Sequence, residues 1–350
     1  MPNPTQSDLH VNVPLTNVSV AYTGQKAQYI ADKVFPKVPV KKQSDLFWRW
    51  SKSDMRRTDV ERRAPGTETP GVGYTQTTDN YFCHVYGVHK DIDDQVRANA
   101  DSVFRLDKEA TEFITNQLLL KRDIDWTQTY FAPDVWDTTY TGIEAAGGDC
   151  DQFLQWSDAA SDPIGDVARW IIDYRRINGV KPNVMVLGVN TMAALKQHPD
   201  IIDRIKYTQR GIVTEDLIAT LFDVEKLYVS YASRTTPEQP WQIPDAKLQD
   251  ENADYEFIHS ANGALLLNTP SSPSLMTPAA GYTFTWGGYL GGNSEGIRVK
   301  RFRLERIASD RIEAEATYDM KVVCPDLGVY VADAVGDPWD CIGPNPAPTP

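Results

Sequence analysis

Cysteine, histidine and long apolar runs are all scarce in this 350-residue chain, and each scarcity removes a class of function. The four cysteines, Cys83, Cys150, Cys324 and Cys341, lack the paired spacing of a structural metal site or a disulfide framework. No apolar stretch is long enough for a membrane span and no secretory leader is visible, so a reducing cytoplasm with free thiols is expected, without a membrane partner. The Asn17-Val18-Ser19 sequon then meets no glycosylation machinery. His84 and His89 stand near Cys83, Asp91, Asp93 and Asp94, but strand alternation sends the two histidines to opposite faces, whereas metal ligands must converge. His198 and His259 have no local partners. The GNSEG run at 292–296 matches a serine-hydrolase elbow in letters, yet that elbow needs a strand before it and a helix after it, and here a strand follows. Gly71-Val72-Gly73 lies at a hairpin tip, and Gly287 to Gly292 leads into a strand, so no phosphate-cradling loop opens a helix. No pair among the 48 carboxylates is singled out. No catalytic, cofactor-binding or metal residue is therefore nominated.

What the chain has is apolar content of 41%, enough for a sizeable core in two lobes with extensions, and an uneven charge. Net charge is −13, but residues 41–63 hold eight Lys/Arg against four Asp/Glu, leaving −17 for the remainder. That same stretch opens a tryptophan-bearing hairpin over 41–92. In its first leg Leu46, Trp48 and Trp50 share one face and Phe47 and Arg49 the other; the return leg, Tyr74 to Ile92, alternates through Phe82, His84, Tyr86 and Val88. Between them MRRTDVERRAPGTETPGVG carries Arg56, Arg57, Arg62 and Arg63 into a glycine- and proline-rich tip suited to a wide, mobile turn. A two-stranded ribbon is marginal alone in water, so its cover is expected on a neighbouring copy, toward whose acidic body a basic arm would be steered. A self-packed hairpin with a solvated tip is the bland alternative. Arginine with tryptophan also suits phosphate contact and base stacking, but the chain is acidic and these apolar side chains are spaced for cross-strand packing, so specific nucleic-acid binding is not expected.

Residues 1–40 read as an extended, proline-dotted arm with a short helix around Gln25 to Lys33. After the hairpin a long helix is predicted from a cap at Asn99 or Asp101 to about Tyr130, roughly 45 Å at 1.5 Å per residue, with an apolar stripe of Val103, Leu106, Ala110, Phe113, Ile114, Leu118, Leu120 and Ile124. Residues 132–161 read as a surface excursion. From Asp162 the texture is α/β: a helix capped by Asp162 and ended by Gly179 with Ile164, Val167, Ala168, Ile171 and Ile172 inward, a buried strand at Asn183 to Gly188, short helices, and a strand at Leu227 to Ala232. Two closing strands follow, Ile297 to Ile307 with a phase switch at Lys300-Arg301 that suggests a bulge, and Arg311 to Met320 with Ile312, Ala314, Ala316, Tyr318 and Met320 on one face. The tail from Gly343 is proline-rich and expected to be disordered.

This order of parts, with ALLLNTPSSPSLMTPAAGYTFTW (264–286) and IRVKRFRLERIASDRIEAEATYDMKVV (297–323) as its most specific text, resembles the major capsid proteins of tailed bacteriophages, the Hong Kong 97 fold. The resemblance implies an α+β chain: N-terminal arm 1–40, extended two-stranded loop 41–92, peripheral domain with a spine helix 93–161, inserted α/β axial domain 162–282, return strands 283–335 and tail 336–350. It implies a structural protein that forms hexamers, pentamers and a closed icosahedral shell around double-stranded DNA without specific binding, assembled in the host cytoplasm. Trp48 and Trp50 would be packing anchors between subunits, and Arg56, Arg57, Arg62 and Arg63 partners for a neighbour's acidic groups. A separate scaffolding protein, favoured by the initial Met1, a portal and a possible decoration protein are the implied partners. Arginines cannot supply the nucleophilic amine that joins subunits in some family members, so a non-covalent shell is expected. The alternatives are another shell protein of the same fold and a cytoplasmic α/β enzyme.

Overall fold

The computed structural model describes residues 29–100, 105–145, 149–205, 213–235, 255–274, 277–289 and 296–336. Most of the arm, the tail, Asp101 and the run 292–295 lie outside them. The described residues form two units, the first from 35–118 and 270–323, the second from 29–34, 119–269 and 324–336.

The first unit is organised by the strand Ser309–Val322. Its alternation buries Ile312, Ala314, Ala316, Tyr318 and Met320 on one face, as the period of two requires. Ile297–Leu304 and His84–Asp93 pair with it antiparallel, as does Gly281–Trp286 near its end, and Lys37–Val40 adds in parallel to Gly281–Trp286. The expected bulge at Lys300-Arg301 is absent, because the register runs unbroken from Ile297 opposite Ala316 to Leu304 opposite Ser309. The apparent phase switch is an ion-paired ladder: Arg298 and Lys300 close on Glu315 at 2.6 and 2.7 Å, which lets a lysine be buried where an apolar residue would be read.

The second unit is a six-stranded mixed sheet in the order Gln152–Leu154, Thr138–Ile143, Gly328–Ala332, Ala264–Leu267, Val184–Leu187, Lys226–Val229. Ala264–Leu267 and Val184–Leu187 are buried along their whole length, which explains their unbroken apolar text. Two expectations are corrected here. Residues 132–161 are no surface excursion, since they supply two strands of this sheet and the buried Phe153 and Trp156. Gly328–Ala332 does not belong with the closing strands of the first unit, because its pairs are Ala264–Leu267 and Thr138–Ile143.

The helix Pro163–Asn178 starts where Asp162 accepts the Gly165 N–H at 2.9 Å and ends at Gly179, whose φ of 74° is the left-handed conformation glycine tolerates. Its buried stripe is Ile164, Val167, Trp170, Ile171 and Tyr174, with Ala168 and Ile172 exposed. The tryptophan and tyrosine win the inward positions because each finds a specific seat: Trp170 stacks on Tyr140 at 4.8 Å, and the Tyr174 hydroxyl donates to the Leu327 carbonyl at 3.1 Å.

The long helix is Leu106–Tyr130, preceded by a separate short helix, Asp94–Asn99, so Asn99 ends one helix and does not cap the next. Ala110, Ile114 and Leu118 are buried as expected, whereas Phe113 is exposed and Leu120 and Ile124 are half-buried. Polar residues take the vacated inward positions: Thr111, Thr115, Arg122, Asp123 and Thr127 are all buried. Each of these threonines donates its hydroxyl to the carbonyl four residues back at 2.7–2.8 Å, which satisfies it inside the helix.

Candidate functional site

The ribbon is shorter than its text. Ser44–Trp50 pairs antiparallel with Gln76–Phe82 only, from Ser44 opposite Phe82 to Trp50 opposite Gln76. The rest of the expected return leg, His84–Asp93, lies against Ser309–Val322 in the main sheet. The break falls at Cys83, which is buried, donates its N–H to the Gln43 carbonyl at 2.9 Å and has its thiol pushed up to about 12 by burial.

Cross-strand partners share a face, so Ser44, Leu46, Trp48 and Trp50 line up with Phe82, Asn80, Thr78 and Gln76. That face is uncovered among the described residues: Leu46 is 62% exposed, Trp48 56% and Phe82 47%, with Trp50 half-buried. Among the described residues the opposite face is covered only at its root, where Tyr81 stacks on Phe284 at 4.6 Å and Phe47 lies 5.3 Å from the same ring. Farther out on that face Arg49 reaches Asp79 at 3.7 Å. Burying one large apolar side chain contributes about 1.5–3 kcal/mol, so a bare row of this kind represents several kcal/mol of unrealised stabilisation.

All four arginines of the tip are exposed, and they differ in what they touch. Arg57 is engaged inside the tip, with Asp54 at 3.1 Å, Asp59 at 3.0 Å and the Gly73 carbonyl at 3.0 Å. Asp54 in turn accepts from the Thr75 N–H and hydroxyl, which hold its carboxyl below the usual range. Arg63 donates to the Thr67 carbonyl at 2.5 Å. Arg56 closes the short helix Lys52–Arg56, and Arg62 lies beyond it. The tip is therefore cross-braced, a feature that pairwise spacing in the text did not announce.

One constellation with the letters of catalysis is structural. His259 lies buried between Trp126 and Phe131, with Nδ1 at 2.5 Å from the Ser230 hydroxyl and Nε2 at 2.9 Å from the Thr127 hydroxyl. Because Thr127 spends its proton on the Asp123 carbonyl, it accepts from Nε2–H, leaving Nδ1 to accept from Ser230. Burial pushes this histidine down to about 3, and Ser230 is buried with it. Its partners lie 132 and 29 residues away in sequence, beyond any local signal. His84 and His89 sit opposite Tyr318 and Glu313, on opposite faces of their strand.

Two units of this construction, with the ribbon returning into the sheet of the first, form the capsid fold of tailed phages, the Hong Kong 97 type. Among solved structures, the chain matches a phage-related protein from Bordetella bronchiseptica with a TM-score of 0.68 at 18% identity, over 93% of this chain and 98% of that one. It matches the capsid of cyanophage P-SCSP1u with a TM-score of 0.53 at 12% identity, over 87% and 88%. In sequence it is 25% identical over 334 residues to the major capsid protein of Pseudomonas phage JBD67, covering 93% of this chain and 97% of that protein. It is 28% identical over 225 residues to the major capsid protein of Burkholderia phage BcepMu, covering 63% and 69%. No family model matches the chain. The resemblance to tailed-phage major capsid proteins thus holds in both sequence and fold.

Proposed function

We propose that this chain is the major capsid protein of a tailed phage, self-assembling through hexamers and pentamers into the icosahedral shell that encloses the double-stranded DNA genome. The observation that carries the reading is the ribbon's bare apolar row, Leu46, Trp48 and Phe82, on a fold shared with capsid subunits. A second copy supplies the cover, with Trp48 and Trp50 as anchors and Arg56, Arg57, Arg62 and Arg63 meeting acidic groups. The axial segment, residues 162–282, then meets its counterparts around the five- and six-fold centres. A net charge of −13 suits a wall that must not grip packed genome, since like charge lets DNA slide against it. The role is structural, without enzymatic turnover. Assembly takes place in the host cytoplasm with a separate scaffolding protein, a portal and a possible decoration protein as partners, and the finished shell is the chain's place in the virion. The subunits associate without covalent bonds, since four of the five basic residues between the paired strands are arginines, which cannot supply an amine nucleophile.

Negative-stain microscopy of the expressed chain, alone and with its scaffold, tests this. Closed shells of uniform size are expected, dissolving to a single monomer band in boiling detergent. Small monodisperse particles under both conditions would overturn the capsid reading, and a ladder of detergent-resistant oligomers would overturn the non-covalent one.

A further inference from the structure

We propose that Asp319 and Phe284 are positioning residues for assembly, a two-point seat that fixes the direction of the ribbon before it meets another copy; the inference rests on the capsid reading. The two are direct cross-strand partners, Phe284 on Gly281–Trp286 opposite Asp319 on Ser309–Val322, so their side chains leave the sheet on one face. Both reach the ribbon's root. Phe284 carries Tyr81 and Phe47 on its ring, and the Asp319 carboxylate accepts the N–H of Phe82 at 2.8 Å, the last ribbon residue before the break at Cys83. The Cys83 thiol donates to the Phe284 carbonyl at 3.6 Å, and Gln43 returns its amide to the Cys83 carbonyl at 3.2 Å. Ring and carboxylate hold the root at two points, whereas the outer ribbon has no such seat among the described residues.

The carboxylate half of the seat does little for the fold of the unit itself, whereas Phe284 belongs to its buried core. Phe82 is about half exposed, so water can take up its amide when the carboxylate is removed, and the cost of an unsatisfied buried group does not arise. What is lost is direction. A ribbon free to swing about Cys83 must be ordered at the moment of docking, and that ordering is subtracted from the binding free energy. A root already held has met this cost during folding.

The test compares the full-length chain with Asp319→Ala and Asp319→Asn, the latter keeping an acceptor oxygen, and with Phe284→Leu, which keeps apolar volume but removes the stacking ring. Amide hydrogen exchange at Phe82 in unassembled chain and light-scattering assembly kinetics are read alongside thermal unfolding. Asp319→Ala is expected to expose the Phe82 amide to exchange and to slow assembly about tenfold, the scale of one charge-assisted hydrogen bond, at an almost unchanged unfolding midpoint. Asp319→Asn should restore both, and Phe284→Leu should slow assembly likewise. Wild-type assembly rates in Asp319→Ala and Phe284→Leu, or unchanged exchange at Phe82 in Asp319→Ala, would overturn the inference, as would a slowing in Asp319→Ala matched by a fall in its unfolding midpoint. If the wild-type chain itself forms no shell, the capsid reading fails, while exchange at Phe82 still decides whether the seat exists.

Discussion

Asp123 and His259 are both buried in the second unit, and burial drives their protonation in opposite senses. Asp123 accepts the N–H groups of Ile30 and Ala31 at 3.0 and 2.9 Å, yet desolvation, helped by Asp32 and opposed by Lys33 and by those hydrogen bonds, raises it from 3.8 to about 6. A carboxyl raised in the folded state costs stability where it is ionised, so this cost is full above about 6 and is relieved as pH falls toward 3.8. His259, held neutral by burial, refuses the proton that the unfolded chain takes up below 6.5, so stability is lost as pH falls from there toward about 3. The two contributions oppose each other between pH 6.5 and 4. Asp123→Asn is therefore expected to gain up to about 3 kcal/mol at pH 7.5 and to show a steeper acid loss than wild type, both read from urea midpoints across that range. Neither residue was legible as special in the text. Asp123 sat in a helix whose inward face was drawn from apolar spacing alone, and the hydroxyl partners of His259 come from distant segments.

At the scale of elements, long segments with a sustained period were legible and short ones were not: the strands within 132–161 carry no such period, and the ribbon's return leg keeps its alternation past the break at Cys83. Ser309–Val322 buries the same alternate residues that its text marks, whereas both long helices turn from their expected stripes toward residues with specific seats, such as Trp170 and Thr115. The strand Gly328–Ala332 has no signal of its own in the text and falls within the range 283–335 expected with the closing strands, since pairing partners are chosen by tertiary packing and its five residues carry no address. Its glycine reveals the true contact. A Cβ on Gly328 would stand 1.9 Å from the Trp136 ring, whose Nε1 is fixed by donating to the Tyr130 carbonyl at 2.8 Å. Gly328→Ala should accordingly lower stability by about 1–3 kcal/mol through forced displacement of the indole, measured by chemical denaturation, with near-ultraviolet circular dichroism reporting the moved tryptophan.

For the whole molecule, the decisive quantity is what a copy leaves uncovered. Replacing Arg56, Arg57, Arg62 and Arg63 together by Glu should leave thermal unfolding within about 0.5 kcal/mol per site of wild type, as expected at an exposed surface, apart from Arg57, whose bonds to Asp54 and Asp59 would be lost. Assembly should be blocked or misdirected, because like charge would then meet an acidic body; sedimentation velocity reads the outcome, and normal particles would refute a role for the tip.

The sequence by itself determined the order of ribbon, long helix and closing strands, and the mismatch between a basic stretch at 41–63 and an acidic remainder, because periodicity, turn chemistry and charge are properties of neighbouring residues. Tertiary structure alone decided where the ribbon ends, at Cys83, which strands of 132–161 and 328–332 join the six-stranded sheet, and which polar side chains are buried. Those outcomes depend on contacts between residues far apart in the chain, whose free energies local spacing cannot express.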